Sequence, residues 1–264
     1  MSEDLYKYCK VNDYTWDNLE KFNVCFNSME QLNDSFEGVS FHNPKMSREE
    51  REFFKEIGMD ADMVNDSWNR SVERIASESI FKFSRISCFT TDNENELMWA
   101  HYADSHKGIC IKYRWEDVEE VCDKLQKISY DDKSPELDAD KVDESKMNTI
   151  YSKSRAWIYE SEVRAFVKAT KFEESSFEEV RKNLQGNLSY DDEYFYFQDR
   201  KTGEYKKVPK YVFRKCIPRA IYCGVRMPLG DFKKLYEYCK KNEIELYKME
   251  QIKRNHALHS KLIL

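Results

Sequence analysis

The segment Ile86–Tyr113 constrains the fold of this chain more than any other stretch of its sequence. Ile86–Thr90 is a short run that favours a β-strand, and Glu96–Ala103 is compatible with a compact helix. Gly108 breaks the chain, and Ile109–Tyr113 then alternates apolar with other residues as a strand does. The segment therefore predicts a strand–helix–strand unit.

The same segment concentrates side chains that are able to hold a small polar ligand. Trp99, His101, Tyr102 and His106 lie within eight positions of one another. Aromatic faces stack on bases and rings, and imidazoles donate, accept or carry protons. A structural alternative stays open, because Trp99 and Tyr102 have a spacing that is also typical of helix core packing. The spacing of the two histidines does not match a metal-binding motif such as HExxH.

Composition indicates a folded, soluble protein. The chain has 264 residues, 41% of them hydrophobic and 35% charged, which is enough for a substantial core. It contains no run of about 18 apolar residues and no secretory signal at its N-terminus, so we expect a cytoplasmic protein with no membrane partner. The net charge of −6 argues against broad, nonspecific nucleic-acid binding.

The eight cysteines are scattered along the chain, and no CxxC pair occurs. Zinc ligands usually come in closely spaced pairs, so this pattern favours reduced, mostly buried structural thiols. We expect no metal cofactor.

A long helical region is predicted to interrupt the series of strands. Ser47 stands three residues before Glu50, as in a capping box, and the helical pattern then runs to about residue 84 with a break near Gly58. Strand-like segments lie on both sides of this region. We therefore expect a single α+β domain over residues 1–264, with a central, mostly antiparallel split sheet and a helical insertion at about 45–84.

The segment Trp157–Lys168 is the second informative feature. Its alternating pattern predicts a strand that carries Glu160, Glu162 and Arg164 on one face, since alternate side chains of a strand point the same way. The three charges are suited to a ligand site. They are equally typical of a solvated strand face with surface ion pairs, and that alternative stays open.

Five separated blocks occur in an order that resembles a known family. They are LYKYC, FNSMEQLNDSFEG, ISCFTTDNENELMWAHYADSHKGICIKY, KSRAWIYESEVRAF and IPRAIYCGVRMP. Together these blocks, which cover most of the chain, resemble the bacterial family called domain of unknown function 2971.

The order of blocks is also similar to that of ADP-ribosyltransferases. Those enzymes place a His or Arg on an early strand, an aromatic or Ser-Thr-Ser element on a middle strand–helix unit, and a Glu-x-Glu on a later strand. Here Lys7–Tyr8 fills the first position and Phe89–Tyr102 fills the second. Glu160-Ser-Glu162 has the form of the last element.

This second resemblance implies a role for each candidate residue. Glu162 would stabilise the oxocarbenium-like state formed when the nicotinamide–ribose bond of NAD breaks, and Glu160 would orient the acceptor or take its proton. Trp99 or Tyr102 would stack on nicotinamide, and Arg164 would neutralise the glutamates or hold a phosphate. The implied NAD-binding set is Lys7, Tyr8, Thr90, Trp99, His101, Tyr102 and Arg164.

The resemblance predicts an ADP-ribosyltransferase-like enzyme that uses NAD as substrate, of the kind found among toxins and anti-phage defence effectors. The macromolecular acceptor is unknown. Two alternatives stay open. One is a noncatalytic module that senses a nucleotide or binds a partner. The other is a metal-dependent nucleic-acid-processing enzyme using Asp34, Glu37, Glu160 and Glu162, although Asp34 and Glu37 are also typical turn residues.

Overall fold

The computed structural model describes residues 4–138, 141–176, 178–179, 181, 193–199, 202–252 and 254–264. The described strands are β1 (Asp4–Cys9), β2 (Asn23–Ser28), β3 (Ser84–Thr90), β4 (Ile109–Arg114), β5 (Lys124–Lys127), β6 (Ser129–Tyr130), β7 (Ser152–Lys153), β8 (Glu162–Lys168), β9 (Glu173–Glu174), β10 (Tyr194–Gln198), β11 (Tyr205–Pro209), β12 (Tyr211–Lys215), β13 (Ala220–Cys223), β14 (Glu245–Ile252) and β15 (Ala257–Leu262). The described α-helices are α1 (Asp13–Glu20), α2 (Arg48–Glu56), α3 (Ala61–Phe83), α4 (Glu96–Tyr102), α5 (Trp115–Glu119), α6 (Val142–Ile150) and α7 (Leu229–Asn242). The fold is α+β, as predicted.

One large sheet organises the described residues. Its strands follow the order β12-β2-β3-β1-β4-β13-β14-β15, and β8 with β5 extends from β3. Within the described part of this sheet, every pairing is antiparallel except that of β13 with β14. The predicted mostly antiparallel sheet is therefore confirmed.

The sheet splits along one edge of β3. Asn27 of β2 pairs with Ile86 near the start of β3, whereas Tyr6 of β1 pairs with Thr90 at its end. The opposite edge of β3 pairs with β8 along its whole length, from Ser84 to Thr90. Since β1 and β2 share one edge of β3, they must diverge from each other, and the divergence opens a cleft in the sheet.

Helices cover both faces of the sheet. On one face, Trp16 of α1 and Leu235 of α7 pack into a core with Ile111 and other strand residues. On the other face, Met98 and Trp99 of α4 pack against strand residues such as Tyr8. Helix α4 therefore lies on the same face as the side chain of Tyr8, beside the split.

The predicted helical insertion lies between β2 and β3. Helix α2 begins at a complete capping box, in which Ser47 and Glu50 bond each other's backbone N–H groups. Gly58, at a φ of +77°, separates α2 from α3, and Asp60 caps α3. None of the helices in the described ranges combines the length and apolarity that a membrane crossing requires.

Two glycines hold the turn that follows α4 close to neighbouring backbone. A Cβ atom on Gly108 would lie 2.2 Å from the carbonyl oxygen of Cys9, and one on Gly224 would lie 2.1 Å from that of His106. The amide of Gly224 also donates to the carbonyl of Gly108 at 2.9 Å. These backbone contacts anchor the C-terminal end of α4, which carries Tyr102.

Replacing Gly224 by alanine is expected to lower the free energy of unfolding by about 1–3 kcal/mol, because backbone cannot move aside as a side chain can. Urea unfolding measures the change. Gly230→Ala is the matched control, since a Cβ there has no neighbour within 4 Å and Gly230 lies in helix α7. We expect that control to be neutral or slightly stabilising. Equal destabilisation by both substitutions would contradict the proposed backbone clash.

Candidate functional site

A cleft with a cavity volume of about 160 Å³ lies where β1 and β2 part. Tyr8 of β1, Tyr102 of α4 and Glu162 of β8 all line it. These three residues come from distant parts of the chain, and the sequence predicts that they meet at one site. The structure brings them together.

Five buried charged residues form the buried ionic cluster on one side of this cleft: Glu37, Lys153, Glu160, Glu162 and Arg164. Three of them are carboxylates and two are cations, so the fully ionised cluster carries one net negative charge. The predicted solvated face of ion pairs is wrong, because all five side chains are buried. Three carboxylates and a lysine of the cluster border the cleft directly.

Arg164 is fully buried, and all five of its N–H donors are used. Its guanidinium bonds both oxygens of Glu37 at 2.8 and 2.9 Å, both oxygens of Glu162 at 2.7 and 3.0 Å, and the carbonyl of Ile150. It therefore neutralises the glutamates, as one of its two predicted roles states. The other role, a bidentate phosphate contact, is wrong for this structure, since no donor is left for a phosphate.

Lys153 is the second buried cation of the cluster. Its ammonium lies 2.6 Å from Glu160, 3.2 Å from Glu162 and 3.6 Å from Glu37. It comes from β7, which places it at the centre of the three carboxylates. Because it contacts every carboxylate, Lys153 sets their relative positions at the edge of the cleft.

Glu162 remains ionised at neutral pH. Burial alone would raise the pKa of its carboxyl, but the charges of Arg164 and Lys153 outweigh burial and lower the pKa to about 2. A carboxylate has about four acceptor positions, and Arg164 and Lys153 occupy three of them. The Cys88 thiol also hydrogen-bonds this carboxylate, and Glu162 thus holds a negative charge beside the cleft.

Glu160 does not lie on a strand, and that part of the prediction is wrong. It ends a 3₁₀-helix, Arg155–Glu160, and Ser161 then turns the chain with a left-handed φ of +44° before β8 begins. Its carboxylate still reaches the same place as Glu162, because it accepts from Lys153 at 2.6 Å and from the hydroxyl of Tyr102. The turn, not strand alternation, brings the two glutamates together.

Tyr102 connects the cluster to the opposite wall of the cleft. Its hydroxyl donates to Glu160 and accepts from the side-chain amide of Asn33 at 2.9 Å. Burial and then the neighbouring Glu160 raise the pKa of the Tyr102 hydroxyl, so it stays protonated and acts as a donor. The half-buried ring remains along the cleft.

Lys7 and Tyr8 stand on the β1 wall. The ammonium of Lys7 donates to the Ser87 hydroxyl at 2.8 Å and to the Cys88 carbonyl at 3.2 Å. These two residues of β3 lie between the part that pairs with β2 and the part that pairs with β1. Among the described residues, no carboxylate lies within 4 Å of this ammonium, so its charge is unpaired there. The Tyr8 hydroxyl donates to the Asp92 carbonyl at 2.9 Å, which fixes the ring beside the cleft.

Four residues of the predicted NAD-binding set do not border the cleft: Thr90, Trp99, His101 and Arg164. Trp99 is 0% exposed, packs edge-on against Tyr8 and donates its indole N–H to the Asn93 carbonyl. Its predicted stacking on a ligand is therefore wrong, and its core-packing alternative is confirmed. Thr90 is buried in β3, and the exposed His101 bonds the Tyr159 hydroxyl at 3.0 Å instead.

Sequence reasoning missed Lys153 and considered Glu37 only as a metal ligand or a turn residue. One signal was present, since acidic residues in an apolar run imply buried charges that need buried cations. Nothing in the spacing of the residues shows which lysine or arginine pairs with these carboxylates.

For the metal-dependent alternative, the described residues contain no group of three His, Cys, Asp or Glu side chains arranged to hold a metal ion. Lys153 and Arg164 lie between the carboxylates instead.

The lowered pKa of Glu162 predicts a pH-dependent contribution to stability. The pKa is about 2 in the folded chain against a reference value of 4.5, so the contribution is present above about pH 4.5 and is lost as pH falls towards 2. Urea unfolding of wild type and Glu162→Gln at several pH values measures it. We expect the stability advantage of wild type to shrink across this window. An advantage that stays constant from pH 7 to pH 3 would contradict the assignment.

Comparison with known proteins gives one match. The family model described as "Protein of unknown function (DUF2971)" matches residues 98–165. No curated protein and no solved structure matches the chain. The matched segment contains Tyr102 and four of the five members of the buried ionic cluster, all except Glu37. This match confirms, over residues 98–165, the predicted relationship of the chain to the DUF2971 family.

Proposed function

We propose that this protein binds NAD in the cleft, breaks the nicotinamide–ribose bond and transfers ADP-ribose to an acceptor. The observation that carries the proposal is an ionised, buried Glu162 in a cluster with net negative charge at the edge of the cleft. A developing positive charge beside this cluster is stabilised without any rearrangement of solvent.

The charges around the cleft are complementary to the charges of NAD. The buried ionic cluster is one negative charge in excess, which favours the cationic nicotinamide ring and, still more, an oxocarbenium-like ribose. Lys7, on the other wall, is a cation without a carboxylate partner among the described residues, and it has an N–H left for a phosphate. A ligand with a cationic end and an anionic centre fits this polarity.

Glu160 and Glu162 have different roles in the proposed reaction. The C1′–N bond breaks, the electron pair leaves with neutral nicotinamide, and Glu162 stabilises the positive charge that develops on the ribose. The acceptor's lone pair then forms the new bond to C1′, and its proton goes to Glu160. Because the pKa of Glu162 is about 2, Glu162 is a weak base and is suited to the electrostatic role.

Tyr102 supports both steps from its position between the glutamates and the cleft. Its hydroxyl orients Glu160, and its ring offers a face for the nicotinamide. Tyr8 faces the same space from β1, with its hydroxyl held by Asp92.

To test this proposal, purified protein is incubated with NAD, and the release of nicotinamide is measured by chromatography. Radiolabelled NAD with cell lysate, separated into protein, nucleic acid and small molecules, then identifies the acceptor class. Released nicotinamide together with labelled acceptor supports transfer. Thermal stabilisation by NAD without any nicotinamide release would instead support the noncatalytic nucleotide-sensing module.

Expression in a bacterial host tests the proposed role as a toxin or anti-phage effector. Growth arrest or phage protection by wild type, absent with Glu162→Gln at equal protein level, supports that role. An equal effect of the two proteins counts against a catalytic origin.

A further inference from the structure

A second cavity, of about 300 Å³, adjoins the cleft between β1, β2 and α1. The two spaces share four lining residues, Lys7, Tyr8, Asn27 and Tyr102. They are therefore neighbouring parts of one groove through the split sheet. None of the five residues of the buried ionic cluster lines this second cavity.

The second cavity has the opposite charge character to the cleft. Lys7 and Lys10 line it, and no Asp or Glu among the described residues does so. Neither lysine has a carboxylate within 4 Å in the described part of the chain. In a protein whose net charge is −6, two cations that face a cavity without acidic partners form a local site for anions.

The remaining lining suits a nucleoside. Amide and hydroxyl groups of Asn12, Thr15 and Asn23 surround the cavity, and Leu19 and Val24 form part of its apolar floor. Tyr14 lines the cavity with 47% of its surface exposed, and its ring tilts against that of Phe213 with centroids 6.4 Å apart, so the exposed part of the ring is available for stacking. Apolar floor, ring face and neutral hydrogen-bonding groups together match a purine and its ribose.

We infer that this second cavity binds the adenosine diphosphate half of the dinucleotide, with the diphosphate at Lys7 and Lys10 and the adenine towards Tyr14. The inference rests on the proposed function, because it divides NAD between the two spaces. The nicotinamide riboside lies at the acidic cleft. Lys7, which lines both spaces, binds the diphosphate at their junction.

The test measures binding of ADP to the full chain by isothermal titration calorimetry. ADP carries only the half assigned to the second cavity, so its binding does not depend on catalysis. We expect Lys10→Glu to weaken ADP binding by about tenfold or more, since it replaces a phosphate-binding cation by a like charge. Tyr14→Ala is expected to weaken it by about three- to tenfold through lost stacking.

Lys21→Glu is the matched control. Lys21 is an exposed lysine near the end of α1, is paired with Asp17, and borders neither cavity. We expect its ADP affinity to lie within about twofold of that of wild type.

Failure of the inference is distinguishable from failure of the proposed function. No ADP binding at millimolar concentration, or unchanged ADP binding in both Lys10→Glu and Tyr14→Ala, overturns the inference even if NAD is cleaved. ADP binding that these two variants weaken supports the inference even if wild type releases no nicotinamide, and in that case only the transferase proposal fails.

Discussion

Glu162→Gln is expected to lower the rate of nicotinamide release from NAD by about 100- to 1,000-fold, the usual effect of removing one preorganised electrostatic group from an active site. The substitution keeps the size of the side chain but removes the negative charge. Since that charge is proposed to act on the developing cation, the loss falls on kcat more than on KM. Steady-state kinetics with chromatographic detection of nicotinamide measures both constants.

Glu116→Gln is the control for this prediction, because it makes the same chemical change at an exposed position of α5, away from the cleft. Its rate is expected to equal that of wild type. Circular dichroism and thermal unfolding show whether Glu162→Gln is folded at the assay temperature. A folded Glu162→Gln protein with wild-type kcat would remove Glu162 from the mechanism.

Arg164→Leu is expected to lower the free energy of unfolding by about 3–5 kcal/mol, the range found when one partner of a buried ion pair is removed. The guanidinium is 0% exposed and binds Glu37 and Glu162 through paired hydrogen bonds. Leucine leaves both carboxylates buried with only Lys153 to balance them. Urea unfolding at pH 7 measures the loss, and thermal unfolding at the same pH provides an independent estimate.

Arg155→Leu serves as the matched control, because its side chain is 64% exposed and only approaches Asp132 at 3.9 Å. A change below about 0.5 kcal/mol is expected there, as for most surface ion pairs. Combining Arg164→Leu with Glu37→Gln is expected to cost less than the sum of the two single changes, since the second change removes one uncompensated charge. Full additivity would show that the two side chains do not interact as the structure indicates.

Much of the fold was predictable, because local patterns specify local structure. The Ser47–Glu50 capping box and the break at Gly58 follow from capping chemistry and helical periodicity. The strand–helix–strand unit from β3 to β4 is likewise confirmed. The predicted strand failed over residues 157–161, where the alternating pattern belongs to the 3₁₀-helix Arg155–Glu160 and the left-handed turn at Ser161.

The site was predictable only in outline. Tyr8, Tyr102 and Glu162 could be placed at one cleft because their order along the chain resembles that of a known class of enzymes. Trp99 could not be separated from Tyr102, since both stand on the same short helix and differ only in the direction of the side chain. One points into the core and the other to the cleft.

By itself, the sequence of Ile86–Tyr113 determined a strand–helix–strand unit with ligand-capable side chains, because turn residues and periodicity act over a few positions. Only the tertiary structure decided which of those side chains faces the cleft and which charges surround it. Lys153 reaches Glu162 across 9 positions, and Arg164 reaches Glu37 across 127 positions. Burial removes these charges from water, so they must pair with whichever opposite charge the fold brings near, and no local pattern records that choice.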